Sequence, residues 1–148
     1  MKERVIHYLL LACCLGGAVL SAVSLHSHYG TSATEYCDLS TTFNCDLVNR
    51  SVYSELFGVP VALLGLLGYL LLFGLSLRAH APRMALRLAA SIAGFGFALY
   101  LAYVEAYVLA VWCLLCIGSL AMITAITALS GVALWRTAKA KGEIHASR

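Results

Sequence analysis

The chain has 148 residues, 61% hydrophobic and 11% charged, with a mean hydropathy of +0.87. That is more apolar surface than one soluble core of this size can hide, so an ordinary soluble domain is excluded and a single membrane domain over residues 1–148 is expected. The net charge of +3 needs no nucleic acid to explain it, because the basic residues sit beside the apolar stretches, where membrane topology places them.

Four apolar stretches approach the roughly 20 helical residues that cross a hydrocarbon layer of about 30 Å. They are Val5–Leu25, Val59–Leu77, Leu88–Leu109 and Trp112–Trp135, which predicts an all-α bundle of four transmembrane helices. Lys2 and Arg4 before the first stretch resemble a signal-peptide start, but the apolar run is long for that role. Lys2, Arg4, Arg78, Arg83, Arg87, Arg136, Lys139, Lys141 and Arg148 share one side if the spans alternate, leaving Arg50 alone on the other. Both termini are therefore expected in the cytoplasm, with the tail 136–148 beside them.

Residues 26–58 form the one sizeable outer loop and hold Glu35, Asp38, Asp46 and Glu55. Pro60 suits the first turn of the second helix, where a missing N–H costs nothing. In the third span, Ala90, Gly94, Ala98, Ala102 and Ala106 make a small-residue stripe suited to close helix packing.

The chain has six cysteines. Cys37 and Cys45 lie in the outer loop with seven residues between them, and Cys113 and Cys116 form a CxxC at the start of the fourth span. All four gather at one membrane face, expected to be the oxidising one. On a helix, positions i and i+3 project to the same side, so the CxxC sulfurs can close a disulfide. Cys113 falls in the first turn, where free N–H groups favour a thiolate. Cys116 lies about 4.5 Å deeper along the axis. One thiol thus meets water and protein partners while the other meets the lipid-soluble compartment. The loop disulfide can exchange with an external thiol and then with the helix pair. Ser51, Ser54, Tyr103, Glu105 and Tyr107 lie at the depth where a quinone ring would need polar groups.

Plainer readings use the same residues. Two structural disulfides in an exported loop need these four cysteines, and so does a four-thiolate zinc site, although the first pair is spaced too widely for a ligand knuckle. Cys13 and Cys14, among leucines and glycines in the first span, read as packing residues. Glu105 is a candidate functional charge or a hydrated interfacial one. Tyr100, Tyr103 and Tyr107 share a face as an aromatic belt or a pocket wall. Phe57 and Gly58 either cap a pocket or anchor the loop in the interface.

The ordered set of Cys37-x7-Cys45, Ser51, Phe57-Gly58-Val59-Pro60-Val61-Ala62-Leu63-Leu64-Gly65, Leu99-Tyr100-Leu101-Ala102-Tyr103-Val104-Glu105 and Cys113-x2-Cys116 resembles the vitamin K epoxide reductase family, in its bacterial branch. The resemblance implies a four-helix bundle around a quinone pocket roofed by the loop. It implies that Cys37 and Cys45 take electrons from a thioredoxin-fold, DsbA-like partner and that Cys45 passes them to Cys113. Cys116 would then contact a quinone, ubiquinone or menaquinone, with Ser51 supporting the loop. Ser54, Phe57, Tyr103 and Glu105 are the further quinone-binding candidates, and no metal is implied.

Vertebrate members have an asparagine where this chain has Ser54 and a tyrosine where it has Leu120, so epoxide reduction is not part of what the resemblance implies. Many bacterial members continue into a thioredoxin-like domain, so a separate periplasmic partner is expected here, at the bacterial inner membrane. A DsbB-type oxidase would present the two cysteine pairs in the opposite order. A non-catalytic membrane protein with static disulfides or a metal-binding cysteine cluster remains the reading from another class.

Overall fold

A computed structural model describes residues 2–30, 42–77 and 81–146. The elements in chain order are α1 (Lys2–Tyr29), α2 (Cys45–Asn49), a 3-10 turn (Val52–Ser54), β1 (Glu55–Leu56), β2 (Val59–Pro60), α3 (Val61–Ser76), α4 (Ala81–Tyr103), a π-helical continuation (Val104–Leu109) and α5 (Leu114–Ala146). The protein is thus mostly helical. Three of its helical segments are long and apolar enough to cross a membrane: Arg4–Tyr29, Pro82–Leu109 and Leu114–Lys141.

The fourth apolar helix, α3, has 16 residues and spans about 24 Å at 1.5 Å per residue. It is shorter than the expected stretch Val59–Leu77 because Val59 and Pro60 are drawn into a hairpin. Phe57 and Gly58 both take left-handed backbone (φ 54° and 78°), the combination a two-residue turn of this hand demands. The turn pairs Leu56 with Val59 and Glu55 with Pro60. Pro60 therefore caps the helix instead of entering its first turn. At the other end of the chain, α5 runs unbroken from Leu114 to Ala146, beyond the expected span Trp112–Trp135.

α1 packs against α3 and α5, and α4 packs against α5 and α3, so the four long helices close a ring. Their shared interior holds Leu10, Cys14, Tyr69, Leu72, Ile123 and Ile126, with Cys13, Ala90 and Ala98 against it. Cys13 and Cys14 are free thiols in this core. Gly17 leaves the space that the Tyr69 ring fills, and a Cβ there would collide with it. The Tyr69 hydroxyl then reaches Ser119, at 2.8 Å from both its carbonyl and its hydroxyl oxygen.

Polarity is inverted relative to a water-soluble bundle. Ser21, Ser24, Ser27, Ser76, Ser91 and Ser130 are buried, while Leu9, Leu15, Val19, Leu67, Leu71 and Ile92 are exposed. The hydroxyls of Ser27, Ser76 and Ser91 bond to carbonyls of the preceding helical turn, so their burial leaves no polar group unpaired. Helices that turn leucines outward and serines inward fit a hydrocarbon surround. Arg87 is buried as well, and its Nε donates to Ser130 Oγ at 3.1 Å.

Candidate redox site and adjoining cavity

The segment before α2 and the one before α5 are clamped together by backbone bonds. Trp112 N donates to Thr42 O at 2.8 Å and Asn44 N donates to Trp112 O at 3.1 Å, forming a short parallel bridge between Phe43 and Trp112. One residue beyond each strand of that bridge the chain turns into a helix. Asn44 caps α2 by accepting from Leu47 N at 2.8 Å. Cys113 directly precedes α5, and its sulfur accepts from Cys116 N at 3.4 Å, so sulfur does the capping there. Cys113 is thus not in the first turn but just ahead of it, outside the apolar span Leu114–Lys141.

This arrangement places Cys113 Sγ 3.4 Å from Cys45 Sγ. Both residues are fully buried. Cys45 is disulfide-bonded, whereas Cys113 and Cys116 are free thiols. Cys37 lies outside the described residues. A thiol in near contact with a disulfide sulfur is the starting geometry for exchange, in which a thiolate attacks one sulfur and the other leaves. The Cys113 thiol is held below its usual pKa, chiefly by the Cys116 side chain and also by the Cys116 and Leu115 amides, while burial and the charge of Glu105 act the other way.

Glu105 stands on the π-helical turn. Such turns widen a helix and recur at functional sites. This one ends at Ala110 in left-handed conformation (φ 52°), with Val111 N donating back to Glu105 O at 3.2 Å. The carboxylate is 3% exposed, and Oε2 accepts from Cys113 N at 3.0 Å. Oε1 is buried without a partner. The carboxylate and the two sulfurs lie within 4.8 Å of one another, a donor set open to a proton or to a thiophilic cation.

Beside these groups lies a cavity of about 290 Å³, near the small end of the roughly 300–1,000 Å³ typical of ligand pockets. Its walls are mainly apolar, with Leu20, Val61, Phe97, Leu101 and Leu120 among them, and Cys116, Glu105, Ser51, Ser54 and Asn49 also line it. Two of these lining residues carry a buried, unpartnered side-chain atom, Glu105 Oε1 and Asn49 Nδ2. A flat apolar ring carrying two carbonyl oxygens fits such a lining, so the residues suit a quinone.

The sequence-predicted residues divide. Cys45, Cys113 and Cys116 come together with Glu105, and Ser51 and Ser54 join the cavity wall. Ser51 finishes α2, its hydroxyl donating to Val48 O at 2.8 Å, and Ser54 Oγ donates to Ser51 O at 2.7 Å. Phe57 and Tyr103 are not brought to the cavity. Phe57 is 99% exposed at the hairpin tip, and Tyr103 faces outward with its ring 5.0 Å from that of Tyr107. The stripe Ala90, Gly94, Ala98 and Ala102 both packs and lines the cavity.

Sequence reasoning missed Asn49, whose carbonyl accepts from His28 Nδ1 at 2.6 Å and whose Oδ1 accepts from Ser24 at 2.7 Å. His28 Nε2 in turn lies 3.4 Å from Glu55 Oε1 on the hairpin. No local motif signals this network, because it joins α1, α2 and β1 only in the fold.

A comparison with curated proteins finds no match. The model of the vitamin K epoxide reductase family matches residues 8–131, which takes in the cysteine pairs, the hairpin, α3, α4, most of α1 and the first half of α5. The buried sulfurs in exchange contact, the apolar cavity beside them and this match agree, and the chain belongs to the vitamin K epoxide reductase family of membrane oxidoreductases.

Proposed function

We propose that the protein is a thiol:quinone oxidoreductase that takes electrons from a separate thioredoxin-fold dithiol protein and delivers them to a membrane quinone. The observation that carries this reading is the 3.4 Å contact between the free Cys113 thiol and the disulfide-bonded Cys45. In the proposed sequence, the partner dithiol reduces the loop disulfide of Cys37 and Cys45 and is itself oxidised to a disulfide. The loop dithiol then reduces a Cys113–Cys116 disulfide through a bond between Cys45 and Cys113. Re-forming the Cys113–Cys116 disulfide from its two thiols releases two electrons and two protons, and a quinone takes up both pairs to become a quinol. Each cycle therefore leaves one new disulfide in the partner and supports disulfide formation in exported proteins.

This chain's residues have distinct parts in that scheme. The Thr42–Trp112 clamp sets the sulfur contact, and the Cys116 side chain favours the Cys113 thiolate. Glu105 bonds the Cys113 amide and keeps a carboxylate oxygen unpaired near both sulfurs, where it can hold a proton in transit. α3, α4 and α5 enclose the ring site, and all four long helices span a bacterial inner membrane with both termini in the cytoplasm. The short α3 leaves its hairpin end within the outer interface.

The test is quinone reduction by the purified protein in detergent, with a thioredoxin-fold dithiol protein as donor. Wild type is expected to turn over and Cys116→Ala is not. If neither turns over and the loop disulfide resists the donor, the static reading replaces this one. Tight zinc binding by reduced wild type that is lost in Cys113→Ser would favour the metal reading.

A further inference from the structure

Buried polar atoms without partners are rare in native structures and each calls for an explanation. Among the side chains of the described residues there are two, Glu105 Oε1 and Asn49 Nδ2, and both belong to residues that line the same cavity. The first belongs to the cysteine cluster. The second does not, and the scheme above leaves it unused.

The other polar groups of the Asn49 side chain and its carbonyl are spent on holding it. Ser24 Oγ donates to Oδ1 at 2.7 Å, and His28 Nδ1 bonds the backbone carbonyl at 2.6 Å. His28 is steadied by Glu55 at 3.4 Å. Asn49 is 6% exposed, so water offers little compensation. An unpaired buried amide donor costs about 1–3 kcal/mol. What would relieve it is a neutral acceptor that enters an apolar cavity, and a quinone carbonyl has that chemistry. The serine hydroxyls nearby do not compete for the task, because Ser51 Oγ donates to Val48 O and Ser54 Oγ donates to Ser51 O.

We propose that the Asn49 side-chain amide is the hydrogen-bond donor that binds and orients the quinone ring, by donating from Nδ2 to one ring carbonyl. Ser24 and His28 are positioning residues for that donor. The inference rests on the thiol:quinone reading and names the group that recognises the quinone within it.

The experiment titrates short-chain ubiquinone and short-chain menaquinone, each in turn, into the full chain in detergent. Binding is followed by quenching of tryptophan emission, since Trp112 lines the cavity, and the carbonyl stretch of the bound quinone is read by infrared difference spectroscopy. For the quinone that wild type binds, Asn49→Leu is expected to weaken binding about tenfold and to return the hydrogen-bonded carbonyl band to its free frequency. Asn49→Asp keeps the shape and the acceptor facing Ser24 but lacks the donor, and the same losses are expected. Exchange between Cys113 and the Cys45 disulfide, measured without quinone, should persist in Asn49→Asp and so separates lost recognition from lost folding. Unchanged affinity and an unchanged carbonyl band in both variants would overturn the role of Asn49. Failure of wild type to bind either quinone would instead overturn the functional reading itself.

Discussion

The sulfur of Cys113 lies 3.4 Å from that of Cys45, although 67 residues separate them in the chain, Cys45 beginning α2 and Cys113 directly preceding α5. At that distance exchange needs only small motions. A bond between Cys45 and Cys113 can be resolved by Cys116 on one side and by the other loop cysteine, Cys37, on the other, so both must be removed to hold it. The Cys37→Ser/Cys116→Ser protein, oxidised with a small disulfide and then alkylated, is therefore expected to accumulate a Cys45–Cys113 linkage. Mass spectrometry of a non-reduced digest would detect it. Finding Cys113 wholly alkylated would count against the exchange geometry.

Cys14 is fully buried and Cys13 packs beside it in the core between α1, α3 and α5. Neither is among the residues lining the cavity of Cys116. Replacing both by alanine should leave donor-to-quinone turnover within about twofold of wild type. The stability cost should be about 1 kcal/mol, that of a small cavity, visible as a lower detergent melting temperature. A loss of turnover on the order of a hundredfold would mean that the inner thiols take part in electron transfer.

How far these features could be read from the sequence depends on how local their causes are. The long helices follow from apolar run length, and the CxxC brings Cys113 and Cys116 close once the segment turns into a helix. The shortened α3 was harder, because Val59 and Pro60 are apolar residues that fit a helix start equally well. What removes them from it is the left-handed pair Phe57 and Gly58, with a phenylalanine at a position where such backbone is uncommon. Tyr103 and Glu105 are grouped by the sequence as quinone-binding candidates, but the π-helical turn that follows Tyr103 brings Glu105 inward while Tyr103 and Tyr107 face out. A regular 3.6-residue period cannot foresee that change of phase. The Asn49 amide could not be found from sequence at all, since its significance lies in which of its atoms is left unpaired.

Gly17 and Tyr69 make a packing pair whose tolerance is low. A Cβ at position 17 would run into the ring, whose hydroxyl is tied to Ser119 across the bundle. Gly17→Ala is expected to push the ring aside and cost about 1–3 kcal/mol, as overpacking does. Tyr69→Phe should cost about 1 kcal/mol for the lost hydrogen bonding. Thermal unfolding in detergent checks both. In the double variant the two costs should not add, because a displaced ring has already lost Ser119; simple additivity would sink the coupling.

Glu105 acts on Cys113 in two opposed ways, and substitution can separate them. Its Oε2 accepts from the Cys113 amide at 3.0 Å, which helps to hold the cysteine in place. Its negative charge meanwhile disfavours a second negative charge on the Cys113 sulfur, raising a thiol pKa that the Cys116 side chain lowers. Glu105→Gln keeps an acceptor for the amide and removes the charge. The Cys113 thiol should then ionise at lower pH than in wild type, and the pH profile of its alkylation, measured in Cys116→Ser to isolate one thiol of the pair, should move to the acid side. Glu105→Ala removes the charge and the acceptor together, leaving a buried N–H unpaired at a cost of about 1–3 kcal/mol. It should lower the melting temperature more than Glu105→Gln does. Quinone turnover should fall in both variants if the unpaired oxygen carries the proton released by the thiols, even though Cys113 is the better nucleophile. A profile that moves to the alkaline side, or turnover that rises with the easier ionisation, would show that the charge of Glu105 serves neither purpose.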